Sequence, residues 1–219
     1  NVTREHLDYH KNIEQYRHAK RKLFLAAKQA VINTDMDNPE YFHTNHKQPA
    51  LFYSVKNKEA DLFADKIELR KDGTDFMLSG ERFHLNLPGI FNVENSLAAL
   101  SVARLLNIDF VIAKEALASV ENIPGRMERV PNECGLNIII DYAVTPDAFE
   151  KLYSVVLPLK QPGAKIIHIF GACGERDRGK RPIMGSIASK YADIIILTNE
   201  DPYYENPERI IDDIEKGIT

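Results

Sequence analysis

The chain has 219 residues, 44% of them hydrophobic and 27% charged, with a formal net charge of −4. That is an ordinary globular composition, long enough for one large domain or two small ones. The acidic balance, with no Lys/Arg stripe interleaved with aromatics, argues against a nucleic-acid partner, and no apolar run or opening signal pattern points to a membrane.

Cys134 and Cys173 lack CxxC spacing and read as reduced thiols of a cytoplasmic protein rather than a disulfide framework. The chain opens on Asn1 instead of Met and is expected to be a piece of a longer protein. Nothing signals a coiled coil or a long exposed apolar face, so a monomer is expected.

Apolar residues at Ile13, Tyr16, Ala19, Leu23 and Ala26–Ala27 recur at spacings of three and four, predicting an amphipathic helix from about Ile13 to Lys28. Short strands are predicted at Ala30–Thr34, Leu51–Val55 and Asp61–Arg70. Lys71-Asp72-Gly73-Thr74 reads as a hairpin turn, continued by Phe76–Leu78 and Phe83–Leu87. Pro88-Gly89 breaks that sheet, and helices follow at Asn92–Leu106 and about Phe110–Glu121. Pro124-Gly125 marks the predicted domain boundary, giving domains 1–124 and 125–219. Beyond it the pattern alternates: strand 136–140, helix 146–157, strand 165–170, helix 181–191, strand 193–197, helix 207–216. That order predicts an α/β fold with a mainly parallel sheet.

Several places offer chemistry. Ile138–Ile140 delivers Asp141 to the carboxyl end of a strand, where open α/β sheets collect ligands. Capping of the next turn explains Asp141 equally well. Thr145 is a plausible N-cap, with Pro146 at the first helical position. His6 and His10 stand four apart, but no HExxH and no third ligand accompany them. Lys20 reads, from its surroundings alone, as a solvated surface charge. Asn92 and Asn95 follow the Pro-Gly break; capping accounts for one amide and leaves the other to read a base or sugar.

Gly171 and Gly174 lie after a strand and would let a backbone turn approach a ligand. No GxGxxG accompanies them. Arg176 suits a carboxylate clamp, although Arg176, Asp177 and Arg178 also read as a surface charge cluster. Glu200-Asp201 follows the next strand, so an arginine loop and an acidic loop could face a zwitterionic ligand from two sides.

Together, EHLDYH, YRHAKRKLF, LPGIFNVENSLAAL, IPGRMERV, IIIDYAVTPDAFEKL, IFGACGERDRGKRPIMGSIASKYADIIILTNEDP and NPERIIDDIEKGI follow the order found in Mur ligases. The chain resembles that family over nearly its whole length. It is most similar to the branch that adds the third stem amino acid to UDP-N-acetylmuramoyl-dipeptide in peptidoglycan synthesis. The resemblance implies the second half of a central ATPase domain followed by a Rossmann-like C-terminal domain. It also implies ATP, Mg2+, a free amino acid as co-substrate, and amide formation through an acyl phosphate.

By position, His6 resembles a magnesium-holding histidine, and Lys20 a lysine that is carbamylated to a carboxylate-like magnesium partner. Asn92 and Asn95 match adenine-side asparagines, Arg126 a nucleotide-reaching arginine, and Asp141 a ribose-contacting acid. Arg176 matches the clamp for the amino acid's carboxylate. Glu200, Asp201, Pro202 and Tyr203 fall where the branch often has Asp-Asn-Pro-Arg.

Three departures stand out. Val144 replaces a histidine in the usual DYAHTPD. Tyr203 replaces an arginine, so two acids and no guanidinium await the amino acid's far end, which suggests lysine or ornithine. No GxxxxGK[ST] segment occurs, so this stretch is expected to be inactive alone. The alternatives are a truncated, non-catalytic nucleotide- or partner-binding product, and a related ligase on another acyl acceptor.

Overall fold

The computed structural model describes residues 2, 7–43 and 49–219, with Leu7 and Asp8 described in backbone alone. Two compact units divide it, one of His18–Tyr142 and one of Val2–Arg17 with Ala143–Thr219. The chain begins with α1 (Leu7–His10) and α2 (Ile13–Ala26), the second close to the predicted helix.

In the first unit, β1 (Ala30–Asn33), β2 (Ala50–Ser54), β3 (Leu62–Arg70), β4 (Gly73–Leu78) and β5 (Glu81–Leu85) form one sheet in sequential order. The first three strands run parallel and the last three form an antiparallel meander. The predicted hairpin turn closes the β3–β4 pair, where Arg70 faces Gly73. Helix α3 (Ile90–Leu105) lays Val93, Leu97 and Leu100 into a core with Leu62, Phe76, Leu78, Phe83 and Leu85. Those spacings of four and three put one stripe of the helix on the sheet.

Buried Thr74 sets the entry to α3. Its hydroxyl donates to Leu87 O (3.0 Å) and accepts from Gly89 N (3.1 Å). Helix α4 (Phe110–Ala118) starts on Asp109, whose carboxylate accepts from Val111 N and Ile112 N. It stops three residues short of the predicted end, because the Asn86 amide takes the carbonyls of Ala118 and Val120.

The segment after Pro124-Gly125 differs from expectation. Glu128–Val130 is a strand, β6, pairing antiparallel with β7 (Ile138–Ile140). β7 therefore belongs to a hairpin rather than to the later parallel strands, and Ile138 and Ile140 are exposed rather than buried. Asn132 turns the hairpin, accepting from Cys134 N and Leu136 N. Arg129 donates to Lys71 O, which groups this hairpin with the first unit.

In the second unit, α5 (Pro146–Leu159), β8 (Ile167–Phe170), α6 (Lys180–Tyr191), β9 (Ile194–Leu197) and α7 (Pro207–Glu215) follow the predicted order. Thr145 caps α5 as expected, accepting from Ala148 N at 3.2 Å. β8 and β9 pair in parallel. Phe149, Phe170, Met184, Ala188, Ile210 and Ile214 form the core on one sheet face. The other face presents Ile167, Ile169, Ile194 and Ile196, each 41–61% exposed. The class is α/β, and the strand pair of the second unit is parallel, as expected. Among the described residues no helix is long and apolar enough to cross a membrane.

Candidate functional site

The hairpin of the first unit brings Arg126 and Asp141 together. The chain turns at Gly125, where Tyr142 N donates to Gly125 O (2.8 Å). Asp141 Oδ2 accepts from Met127 N at 2.9 Å, and Met127 holds φ at 50°. The cap expected of Asp141 is on the turn that follows it; the bond instead runs back to the turn at Gly125–Met127 and engages one oxygen. Arg126 is exposed, its guanidinium over the Tyr142 ring (5.1 Å) and donating to Tyr142 O (3.3 Å). It lies across the mouth of the turn that Asp141 closes.

The two asparagines of α3 divide differently from the expectation. The helix begins at Ile90, with Gly89 in the cap position and no side-chain cap. Asn92 is buried and donates its amide to Pro88 O (2.8 Å), so it fixes the Pro-Gly entry. Asn95, three positions on, is exposed. Lys20 is exposed on α2, and His6 lies outside the described residues. As an ammonium Lys20 repels a cation; a carbamate on it would supply the oxygen donors that magnesium prefers. Among the described residues no three His, Cys, Asp or Glu side chains cluster as a metal site.

In the second unit the loops leaving β8 and β9 lie side by side, as the adjacent strand ends require. Gly174 N donates to Asp201 O (2.8 Å). A Cβ on Gly171 would strike Thr198 O, and one on Gly174 would strike Pro202 O. The glycines thus serve close packing between the loops, a correction to the expectation that they face a ligand.

Arg176 is exposed, with no hydrogen bond or ion pair among the described residues. Glu200 is half-buried beside the Cys173 thiol; burial, then this carboxylate, push the thiol up from its ordinary value. Asp201 and Tyr203 are exposed, and Tyr203 holds φ at 51°. Lys180 donates to the carbonyl of Val144 (2.8 Å), a contact made by the backbone and indifferent to the side chain there.

Residues 1–103 match the profile described as "Mur ligase middle domain", and residues 125–219 that described as "Mur ligase, glutamate ligase domain". The chain belongs to the Mur ligase family. The UDP-N-acetylmuramoyl-L-alanyl-D-glutamate--2,6-diaminopimelate ligase of Clostridioides difficile (strain 630) is 40% identical, over 100% of this chain and 46% of that protein. The UDP-N-acetylmuramyl-tripeptide synthetase of Roseiflexus sp. (strain RS-1) is 39% identical over 99% and 46%. A solved UDP-N-acetylmuramoyl-L-alanyl-D-glutamate--2,6-diaminopimelate ligase aligns with TM-score 0.60 and 33% identity, covering 99% of this chain and 46% of that one. MurF from Acinetobacter baumannii aligns with TM-score 0.79 at 19% identity over 100% and 48%, a likeness of fold alone. The chain spans about half the length of the curated relatives it matches.

For a Mur ligase chain, the residues that sequence reasoning missed are those that hold the loops. Arg181 and Glu205 join them through a buried ion pair, and Ser54 with Asp35 ties the carboxyl ends of β1 and β2, Asp35 also accepting from Val55 N (2.7 Å). The GERDRGKRP run shows six charged side chains of which only Arg181 is buried. Nothing in the local pattern separates it from its neighbours.

Proposed function

We propose that the intact protein is an ATP-dependent amide ligase of peptidoglycan synthesis that adds an amino acid to UDP-N-acetylmuramoyl-dipeptide. The observation that carries this reading is the paired loops at the carboxyl ends of β8 and β9. One presents Arg176 and the other presents Glu200 and Asp201. A guanidinium grips a carboxylate with two parallel hydrogen bonds, and two carboxylates suit an ammonium. The ligand these groups describe is an amino acid with a basic far end, and the finer reading is lysine or ornithine. The names of the relatives favour a second reading, diaminopimelate, whose far end adds a carboxylate to the ammonium. Tyr203, offering no positive charge, weighs against it.

In the first unit, Asn95 on α3 is assigned the adenine side, with Asn92 shaping the entry beneath it. Arg126 is assigned to the nucleotide, in a supporting place beside the ribose, and Asp141 to the ribose itself. Magnesium, which neutralises charge on phosphoryl oxygens when bound, is assigned to His6 and a carbamylated Lys20. The acceptor carboxylate is activated as an acyl phosphate. That step transfers the γ-phosphoryl group of ATP and releases ADP; the free amine then displaces phosphate from the acyl phosphate, yielding the amide, phosphate and a proton. The reading includes domains meeting at residues 124 and 125, a monomer, and work in the cytoplasm.

The deciding experiment is phosphate release by the intact gene product with ATP, magnesium and UDP-N-acetylmuramoyl-dipeptide, with lysine, ornithine and diaminopimelate compared. Release that depends on lysine or ornithine is expected. Release with diaminopimelate alone keeps the ligase and removes the assignment of Glu200, Asp201 and Tyr203. No release with any of them favours a nucleotide-binding product without catalysis.

A further inference from the structure

Arg181 is the largest fully buried side chain among the described residues, 1% exposed. Its Nη1 donates to Glu205 Oε2 (2.8 Å) and Asp213 Oδ2 (3.1 Å). Its Nη2 donates to Glu205 Oε1 (3.1 Å) and to the carbonyl of Cys173 (3.2 Å). Glu205 also accepts from Glu175 N (3.0 Å), and Arg178 meets it at 3.2 Å. One guanidinium therefore joins the loop bearing Arg176, the loop bearing Glu200 and Asp201, and helix α7.

The placement is costly. Arg181 lies in the first turn of α6, where the helix dipole disfavours a cation. A buried ion pair contributes little stability that an apolar pair of similar volume would not. What the fork supplies, and apolar packing does not, is a fixed hydrogen-bonded geometry between separate segments. Arg181 holds Glu205 ionised down to about pH 2, its hydrogen bond being the largest cause. The junction therefore stays charged across the physiological range.

We propose that Arg181 is the positioning residue of the amino-acid site: by locking Glu205 it fixes the spacing between Arg176 and the Glu200–Asp201 pair. The proposal rests on the ligase reading above. Arg181 itself, being buried and fully engaged at both Nη atoms, does not touch the amino acid.

The test is steady-state kinetics of the full-length gene product and its Arg181→Lys and Glu205→Gln variants, varying the amino acid, ATP and the UDP-dipeptide in turn. Lysine keeps the charge and loses the fork. Expected is a rise of about 10- to 100-fold in KM for the amino acid, as for a binding group displaced by about an ångström, with KM for ATP and for the UDP-dipeptide little changed. Glu205→Gln, which keeps shape and one acceptor, should move the same constant, and it serves if Arg181→Lys does not fold. A variant that melts earlier yet keeps the wild-type amino-acid KM shows a merely structural role and overturns the proposal while leaving the ligase standing. A wild type that ligates no amino acid removes the ligase reading, and the proposal with it.

Discussion

His168 shows how one side chain sets a pH limit on the second unit. Its ring packs among Phe149, Tyr153 and Phe170, and Nδ1 lies 2.6 Å from the Tyr153 hydroxyl. Burial holds its pKa down to about 4 and pushes Tyr153 up to about 12, so the pair is neutral near pH 7. The unfolded chain takes up a proton near its ordinary pKa of 6.5, whereas the folded chain resists until about 4. Stability should therefore fall as pH drops through that window, by roughly 2 kcal/mol after allowing for partial exposure. Glu205 acts lower: its depressed pKa stabilises the fold above about 4.5, and that contribution is lost between there and about 2. Urea midpoints at pH 7 and pH 5 should separate the wild type and flatten in His168→Gln. An equal slope in the variant would place the sensitivity elsewhere. Local motifs made residues such as Thr145 legible, since a cap needs only its own neighbours. Arg181 was not legible, because its burial is decided by Glu205 and Asp213, which lie 24 and 32 residues away.

At the scale of elements, the loops after β8 and β9 are held by backbone contact as much as by charge. Gly174 lies against Pro202, and Gly171 against Thr198. A methyl group at Gly174 must part the two loops, because a carbonyl in a turn has less freedom to yield than the end of a side chain. Gly174→Ala should cost about 1–3 kcal/mol, the usual range for overpacking, and should also weaken amino-acid binding in the intact enzyme. Thermal melting with amino-acid titration checks both; a variant that melts and binds like wild type would refute the close packing. The same scale explains which elements could be read from sequence. Helices and strand runs follow from periodicity, which is local, and most of the predicted boundaries lie within a few residues of the observed ones. Pairing is not local. The partner of β7 is β6, a three-residue strand hidden in a run of alternating charges, and only the folded hairpin reveals it.

At the scale of the whole chain, the question is which parts of a nucleotide these 219 residues can hold. The groups assigned to adenine and ribose, Asn95, Arg126 and Asp141, are all present, and each keeps a free or exposed polar end. A phosphate cradle is another matter. It needs consecutive backbone N–H groups and a lysine at a helix start, as in GxxxxGK[ST], and the sequence contains no such segment. Binding by this chain alone should therefore draw on the nucleoside and gain little from the phosphates. Calorimetry should find adenosine, ADP and ATP with magnesium within about tenfold of one another, about 1.4 kcal/mol. The intact gene product should prefer ATP by far more. If the 219-residue chain binds ATP with magnesium much more tightly than adenosine, a phosphate site exists in it that follows no known cradle pattern. The assignment of Arg126 to a supporting place beside the ribose would then give way to one on the phosphates themselves.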